Sequence, residues 1–180
     1  METFELITNR RSIRRYSSQP IREEVVNKIL QAGMSGPSCV NARDYAFVVV
    51  QDKQKLLQMF EACGSPAAPL KDATLAILVC GDLNRSFSMA KDYWIIDASI
   101  AAQNMSLAAY DLGVGNVWLG VWPQDERVQN LIDLFDLPAN IIPHSILSMG
   151  YPEDDRDMHM LSEERKREKF EQDRIHREKW

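Results

Sequence analysis

The sequence predicts a single domain of mixed helices and strands that carries a charged C-terminal appendage. Three observations lead there. The 180 residues suit one domain, or one domain plus an appendage, rather than two. Short segments rich in β-branched and aromatic residues alternate along the chain with segments of helical periodicity. After Gly150-Tyr-Pro152 the composition turns abruptly charged, with 10 Asp or Glu and 8 Lys or Arg in the last 30 residues. That change sets 1–152 apart from 153–180.

Two short helices open the chain. Thr3 to about Arg10 places Phe4 and Ile7 one turn apart, and Ile21 to Gln31 aligns Ile21, Val25 and Ile29 on one face. Pro20 starts the second helix and Gly33 is expected to stop it. A loop from Met34 to Arg43 leads into Tyr45-Ala-Phe-Val-Val-Val50, a strand by its composition. Asp52 then caps a helix over Lys53 to Cys63, with Leu56, Leu57 and Phe60 facing inward. After a Pro-rich loop, Thr74-Leu-Ala-Ile-Leu-Val-Cys80 is an unbroken apolar run, the mark of a strand covered on both faces. Asp92 to Leu112 reads as a helix buried on nearly all sides, closed by Gly113 and Gly115. Asn116 to Val121 is a third strand, Asp125 to Phe135 a helix after Pro123, and Ser145 to Met149 a fourth strand. The tail is either a solvated helix or an arm packed on a second subunit and anchored by Phe170, Ile175 and Trp180.

Composition removes several function classes. A net charge of −5 offers no general attraction to nucleic acid or anionic lipid. Asp97, Gln103, Asn104 and Asp111 interrupt the most apolar segment, so it is not read as a membrane span. Cys39, Cys63 and Cys80 are odd in number and lack Cys-x-x-Cys spacing, which argues against a disulfide framework or a zinc site. Reduced thiols in a cytosol are expected, with no exported leader. The histidines, His144, His159 and His176, are scattered. Gly113-Val-Gly115 precedes a strand instead of opening a helix after one, so no Rossmann site is expected.

Two clusters remain. In Asn9-Arg-Arg-Ser-Ile-Arg-Arg-Tyr16, four of the eight arginines that precede the tail fall within six positions. Like charges so close repel unless an anion or carboxylates sit among them. Arg10, Arg14 and the Ser12 hydroxyl suit a phosphate monoester; a solvated basic helix end is the other reading. Gly36-Pro-Ser-Cys-Val-Asn41 offers a rigid Pro, a hydroxyl and a carboxamide able to donate and accept together, and by itself it is also an ordinary turn.

Taken together, these segments resemble the FMN-dependent nitroreductase family. The shared pattern is Arg10-Arg-Ser-Ile-Arg14, then Pro37-Ser-Cys-Val-Asn41, then Asp97-Ala-Ser-Ile-Ala-Ala-Gln-Asn104 through Gly113-Val-Gly-Asn-Val-Trp-Leu-Gly120, and finally Gly150-Tyr-Pro152. The resemblance covers nearly the whole chain. It implies an α+β fold with a central, mostly antiparallel sheet flanked by helices, in an intertwined homodimer. It also implies FMN as cofactor, held at the subunit interface, with NADH or NADPH as electron donor.

By position, the resemblance puts Arg10 and Ser12 at the FMN phosphate and counts Arg11 among the cofactor-binding residues. Arg14 falls at the flavin N1 and O2 edge, where a cation offsets the charge that two-electron reduction places there. Pro37, Ser38 and Asn41 would come from the other subunit to cover the ring, and Leu119 and Gly120 match the segment whose backbone amide approaches N5. A basic residue of the tail, Lys169 or else Arg165 or Arg167, would reach the phosphate. Two departures stand out: the family's Asn-x-Gln-x-Trp is Asn41-Ala-Arg-Asp-Tyr45 here, and the tail is several residues longer. The implied activity is hydride transfer through FMN to nitroaromatics, quinones or similar small acceptors. Gly64 to Lys71 and Arg85 to Lys91 are expected to be the variable loops where the acceptor is chosen. A flavin-binding redox sensor or store, a dehalogenase-like or flavin-destroying relative, and a protein without cofactor are the competing readings.

Overall fold

The computed structural model describes residues 2–158 and 160–180; the side chains of residues 155 and 156 are outside the description, as is His159. Four antiparallel strands form one sheet in the order β1-β2-β4-β3: β1 (Tyr45–Val50), β2 (Leu75–Asp82), β3 (Gly115–Gly120) and β4 (Ile141–Gly150). The central strand β2 sends alternate residues to opposite faces. Leu75, Ile77 and Val79 pack with α2 (Glu23–Met34) and α4 (Tyr93–Asp111), while Ala76, Leu78 and Cys80 pack with α3 (Lys53–Cys63) and α5 (Asp125–Phe135). This explains the unbroken apolar run: the strand has no solvent face.

Local chemistry sets most boundaries. The Asp52 carboxylate accepts from the Lys55 amide at 2.8 Å and starts α3, satisfying one of the donors a helix N-terminus leaves free. Gly113, at φ +77°, ends α4 in the left-handed region that glycine adopts without steric cost. Gly33 does not stop α2. The helix continues to Met34, and a Cβ at Gly33 would lie 2.7 Å from Met105 Cγ, so that glycine serves the close approach of α2 to α4. Leu56 is buried as expected, but Leu57 is exposed where an inward position was expected, and Met59 fills the core instead. Residues 64–71 are not an open loop, because Ser65–Lys71 forms a 3-10 helix that buries Ala67, Pro69 and Leu70.

The fourth strand is twice as long as its apolar core suggests. It begins at Ile141 and runs through Pro143 and His144, with a register shift opposite, between Val79 and Cys80. Proline cannot donate to the ladder, and a bulge beside it relieves that.

The first helix, α1 (Thr3–Asn9), ends before the arginines. From Arg10 the chain is extended, so Arg10 and Arg14 are not one helical turn apart. The segment lies along the outer edge of β3: the Ile13 amide donates to Asn116 O at 2.9 Å, and the Ser17 amide to Tyr151 O at 2.8 Å. Tyr16 Oη donates toward Ile13 O (2.7 Å) and Ser148 O (2.9 Å). The tail is not wholly solvated, since Leu161 is buried and its amide donates to Asn9 Oδ1 at 2.8 Å. Beyond it α6 (Glu163–Glu168) and the three expected anchors, Phe170, Ile175 and Trp180, are exposed in the single chain.

Candidate functional site

The turn from α1 into the edge segment gathers cations from distant parts of the sequence. Lys169 Nζ donates to Thr8 O at 2.8 Å and lies 3.5 Å from Arg10 O, which brings the tail to the arginine cluster. Partial burial, then the charges of Arg10 and Arg11, hold the Lys169 ammonium below the usual lysine range. Beneath them Tyr110 Oη is buried without a hydrogen-bond partner among the described residues. Burial raises its pKa, and Arg11 and Arg10 oppose that rise. Arg11 is half-buried and tied down, donating from Nε to Asp157 O at 2.8 Å with the Asp157 carboxylate 3.9 Å away. Arg10 forms no side-chain hydrogen bond or ion pair among the described residues. A partly desolvated guanidinium and ammonium side by side, with an unfilled phenol below, form a donor set that an anion completes.

Arg14 points elsewhere. With Val117, Trp118, Leu119 and Gly120 it lines a cavity of about 170 Å³, closed on the far side by Cys63, Pro66, Ala67 and Arg127. A Cβ added at Gly120 would meet nothing within 4 Å, so its backbone faces open space. Arg127 Nη1 donates to Gly120 O at 3.0 Å. Ser12 is exposed between the two groups. Arg10, Arg11, Ser12, Arg14, Leu119, Gly120 and Lys169 thus follow one edge of the sheet.

The segment Pro37–Asn41 lies apart from them. Its 3-10 turn, Cys39–Asn41, is pinned to α4 by the Asp97 carboxylate, which accepts from the Cys39 amide at 2.9 and 3.1 Å. Ser38 Oγ accepts from the Arg43 amide, and Asn41 Oδ1 from Arg43 Nε. Asp97 is thirteen residues from Tyr110 along α4, about 20 Å at 1.5 Å per residue. Across the sheet, β1 and β3 are three strand spacings apart, roughly 14 Å. Within one chain the loop is therefore held at the opposite end of α4 from the cations around Tyr110.

The nitroreductase family model matches residues 7–87 and 67–151. The chain is 41% identical over 180 residues to a Methanothermobacter thermautotrophicus protein that carries the name NADH dehydrogenase/NAD(P)H nitroreductase, covering 100% of this chain and 88% of that one. The chain belongs to the nitroreductase family. An FMN-dependent nitroreductase of Clostridium difficile superposes with a TM-score of 0.87 at 27% identity, over 99% of this chain and all of the other. A nitroreductase of Desulfovibrio desulfuricans in complex with FMN superposes at 0.73 and 29% identity, over 86% and 88% of the two chains.

For a nitroreductase-family chain, the sequence leaves several pocket residues unmarked. Tyr110 and Cys63 are hidden inside ordinary helical patterns. Arg127 carries a readable signal: a cation in the first turn of α5 opposes the helix dipole that Asp125 and Glu126 complement, so another partner must hold it there. Trp118 and Trp122 flank Gly120, and strand composition alone accounts for Trp118.

Proposed function

We infer that this nitroreductase-family chain is an FMN-dependent NAD(P)H oxidoreductase. The observation that carries the reading is the row of cations along the outer edge of β3: Arg10 and Lys169 at one end, Arg14 beside Gly120 at the other. The residues fit FMN. Arg10, Arg11 and Lys169 would hold the phosphate over the unpartnered Tyr110 hydroxyl, with Ser12 adding a donor, while Arg14 and the Leu119–Gly120 backbone would meet the ring. The chemistry that bound FMN supplies is relay of a hydride from NADH or NADPH to an electron-poor acceptor such as a nitroaromatic or quinone, donor and acceptor using the site in turn. The protein's part is electrostatic and steric. Arg14 offsets negative charge at the pyrimidine edge, and Gly120 leaves room for close approach. No side chain is assigned as general acid, base or nucleophile.

The site is completed by a second copy of the chain. Pro37, Ser38 and Asn41 are not gathered with the cations in their own subunit, and the resemblance has a partner bring them over the ring. Two observations support the dimer. The single chain exposes 10672 Å², about a fifth more than the roughly 9,000 Å² of a compact monomer of its mass. Phe4, Ile7, Met34, Val40, Tyr93 and Ile96 are exposed, more large apolar surface than scattered positions account for. Residues 153–180 would then pack on the partner, with Phe170, Ile175 and Trp180 as contacts. No helix among the described residues is long and apolar enough to cross a membrane, and a cytoplasmic setting suits the free thiols Cys39, Cys63 and Cys80.

The test is the visible spectrum of the purified chain titrated with FMN, then reduced anaerobically with NADH and NADPH. One FMN per subunit, bleached by nicotinamide and reoxidised by menadione or nitrofurazone, is expected. Arg10→Ala should weaken FMN binding by about 1.5 to 3 kcal/mol, the scale of a charge-assisted hydrogen bond. A chain that stays colourless with excess FMN refutes the reading, and one that binds FMN but is reduced only slowly is a redox sensor or store instead.

A further inference from the structure

The Pro37–Asn41 loop is held in a conformation that its own residues resist. Val40, Asn41 and Arg43 all have left-handed backbones, at φ 45°, 59° and 50°. Asn adopts that region at small cost, whereas a β-branched residue meets its own backbone there. Val40 is also 68% exposed, so little packing offsets the strain. The surrounding structure must hold the loop in place.

Its internal hydrogen bonds do not do so. The Asn41 amide donates to Ser38 O, the Ala42 amide to Cys39 O, the Arg43 amide to Ser38 Oγ, and Arg43 Nε to Asn41 Oδ1. These bonds join near neighbours and close the loop on itself. Among the described residues, the hydrogen bonds that tie residues 37–43 to the rest of the fold are those of the Cys39 amide to the Asp97 carboxylate, at 2.9 and 3.1 Å, and of Arg85 Nε to Ala42 O, at 3.4 Å. Arg85 is exposed and its bond is long. The Asp97 bond is short, buried and anchored on the 19-residue helix α4.

Stability does not account for Asp97. Asp44, also fully buried, lies beside it, and neighbouring buried carboxyls oppose each other's ionisation. The internal bonds use Ser38 and Asn41 as acceptors only, which leaves the Ser38 hydroxyl proton and the Asn41 amide nitrogen for another molecule.

We propose that Asp97 is a positioning residue whose carboxylate latches this loop in its strained form, so that Ser38 and Asn41 are preset as donors for the cofactor of a second subunit. This rests on the FMN reading, in which a partner's loop covers the ring. Asp97 itself touches no cofactor. A preset loop spares binding the ordering cost of a slack one, so loss of the latch is read in FMN affinity as well as in loop mobility.

The experiment measures deuterium exchange of peptides spanning residues 37–43 in the full chain without FMN, together with the FMN Kd from flavin fluorescence. Asp97→Ala is expected to speed loop exchange and to weaken FMN binding, each about tenfold, the effect of losing one charge-assisted bond, while peptides of α3 and β4 exchange as in the parent. Asp97→Asn, which keeps an acceptor, should stay within about threefold of the parent in both. Adding Val40→Asn to Asp97→Ala relieves left-handed strain at an exposed position and should recover most of both losses, a rescue that a merely structural Asp97 would not show. Should Asp97→Ala fail to fold, Val40→Asn in the parent decides: slower loop exchange supports the latch, and an unchanged rate overturns it. The proposal is overturned if Asp97→Ala leaves the loop at the parent rate, if exchange rises equally in α3 and β4, if Val40→Asn rescues nothing, or if the loop loosens with no change in the FMN Kd. A parent chain that takes up no FMN refutes the flavin reading, and the latch then stands or falls on the exchange rates alone.

Discussion

Two buried groups on α4 and β4 should drive stability in opposite directions over one pH range. Asp97 is 2% exposed. Burial raises its pKa first, the Cys39 amide pulls it back, and the adjacent Asp44 carboxyl pushes it up again, leaving it at about 6 against an ordinary 3.8. The native state therefore takes up this proton more readily than the unfolded chain. Below pH 4 Asp97 has no effect; between pH 4 and 6 stability falls as pH rises, and above pH 6 the whole cost of ionisation is present. At 1.36 kcal/mol per pH unit that cost is about 3 kcal/mol. His144, 7% exposed between Ser99 Oγ and Ser145 Oγ, has the reverse sign. Burial lowers it from 6.5 to about 4, so the unfolded chain binds a proton that the native state refuses. Its contribution is lost as pH falls from 6.5 to 4, again about 3 kcal/mol. In the parent the two slopes nearly cancel. Asp97→Asn, which keeps an acceptor for the Cys39 amide, should gain stability with rising pH from 4 to 6.5. His144→Gln, which keeps polar atoms for both serines, should lose it. Thermal melts at half-unit pH steps should show the Tm of each variant moving by roughly 6–12 °C across this range, in opposite directions. Parallel profiles for the two variants would refute the reasoning.

Arg14→Ala should lower the reduction potential of bound FMN while leaving its affinity nearly unchanged; anaerobic redox titration with a reference dye measures this, and an unmoved potential removes Arg14 from the ring edge. Gly81→Ala drives a methyl into the Trp94 indole and should cost about 1–3 kcal/mol by urea unfolding, the range for overpacking a filled core. Asp52→Ala removes the α3 cap and should cost about 1 kcal/mol in the same assay.

Much of the fold was legible because its signals are local. Tyr45–Val50, Lys53–Cys63 and Asp125–Phe135 are bounded by residues whose own chemistry starts or stops an element, and the apolar run of β2 announces its two covered faces. What escaped depends on neighbours remote in sequence. Gly33 carries the composition of a helix stop, and only Met105 on another helix gives it a different role. The first half of β4 holds a proline and a histidine, which no single-strand pattern favours, and a bulge at His144, opposite Val79 and Cys80, accommodates them. The arginines are visible as a cluster, but the extended path that spaces them is fixed by the Ile13 amide on Asn116 O of β3, a bond that their own sequence does not announce. Which basic residue of the tail meets the N-terminal arginines has no local signal; the contact of Lys169 with Thr8 O depends on a fold that joins the two ends of the chain. Arg127 and Tyr110 could not be placed from local pattern alone.

The cation cluster joins residues 8–11 to residues 157–169, so its parts are synthesised at opposite times. A ribosome can deliver β1 through β4, and that sheet can condense, long before Lys169 exists. On the proposed flavin reading, the edge that would hold the phosphate is thus among the last pieces to assemble, and affinity for a phosphorylated ligand is expected to lag behind compactness.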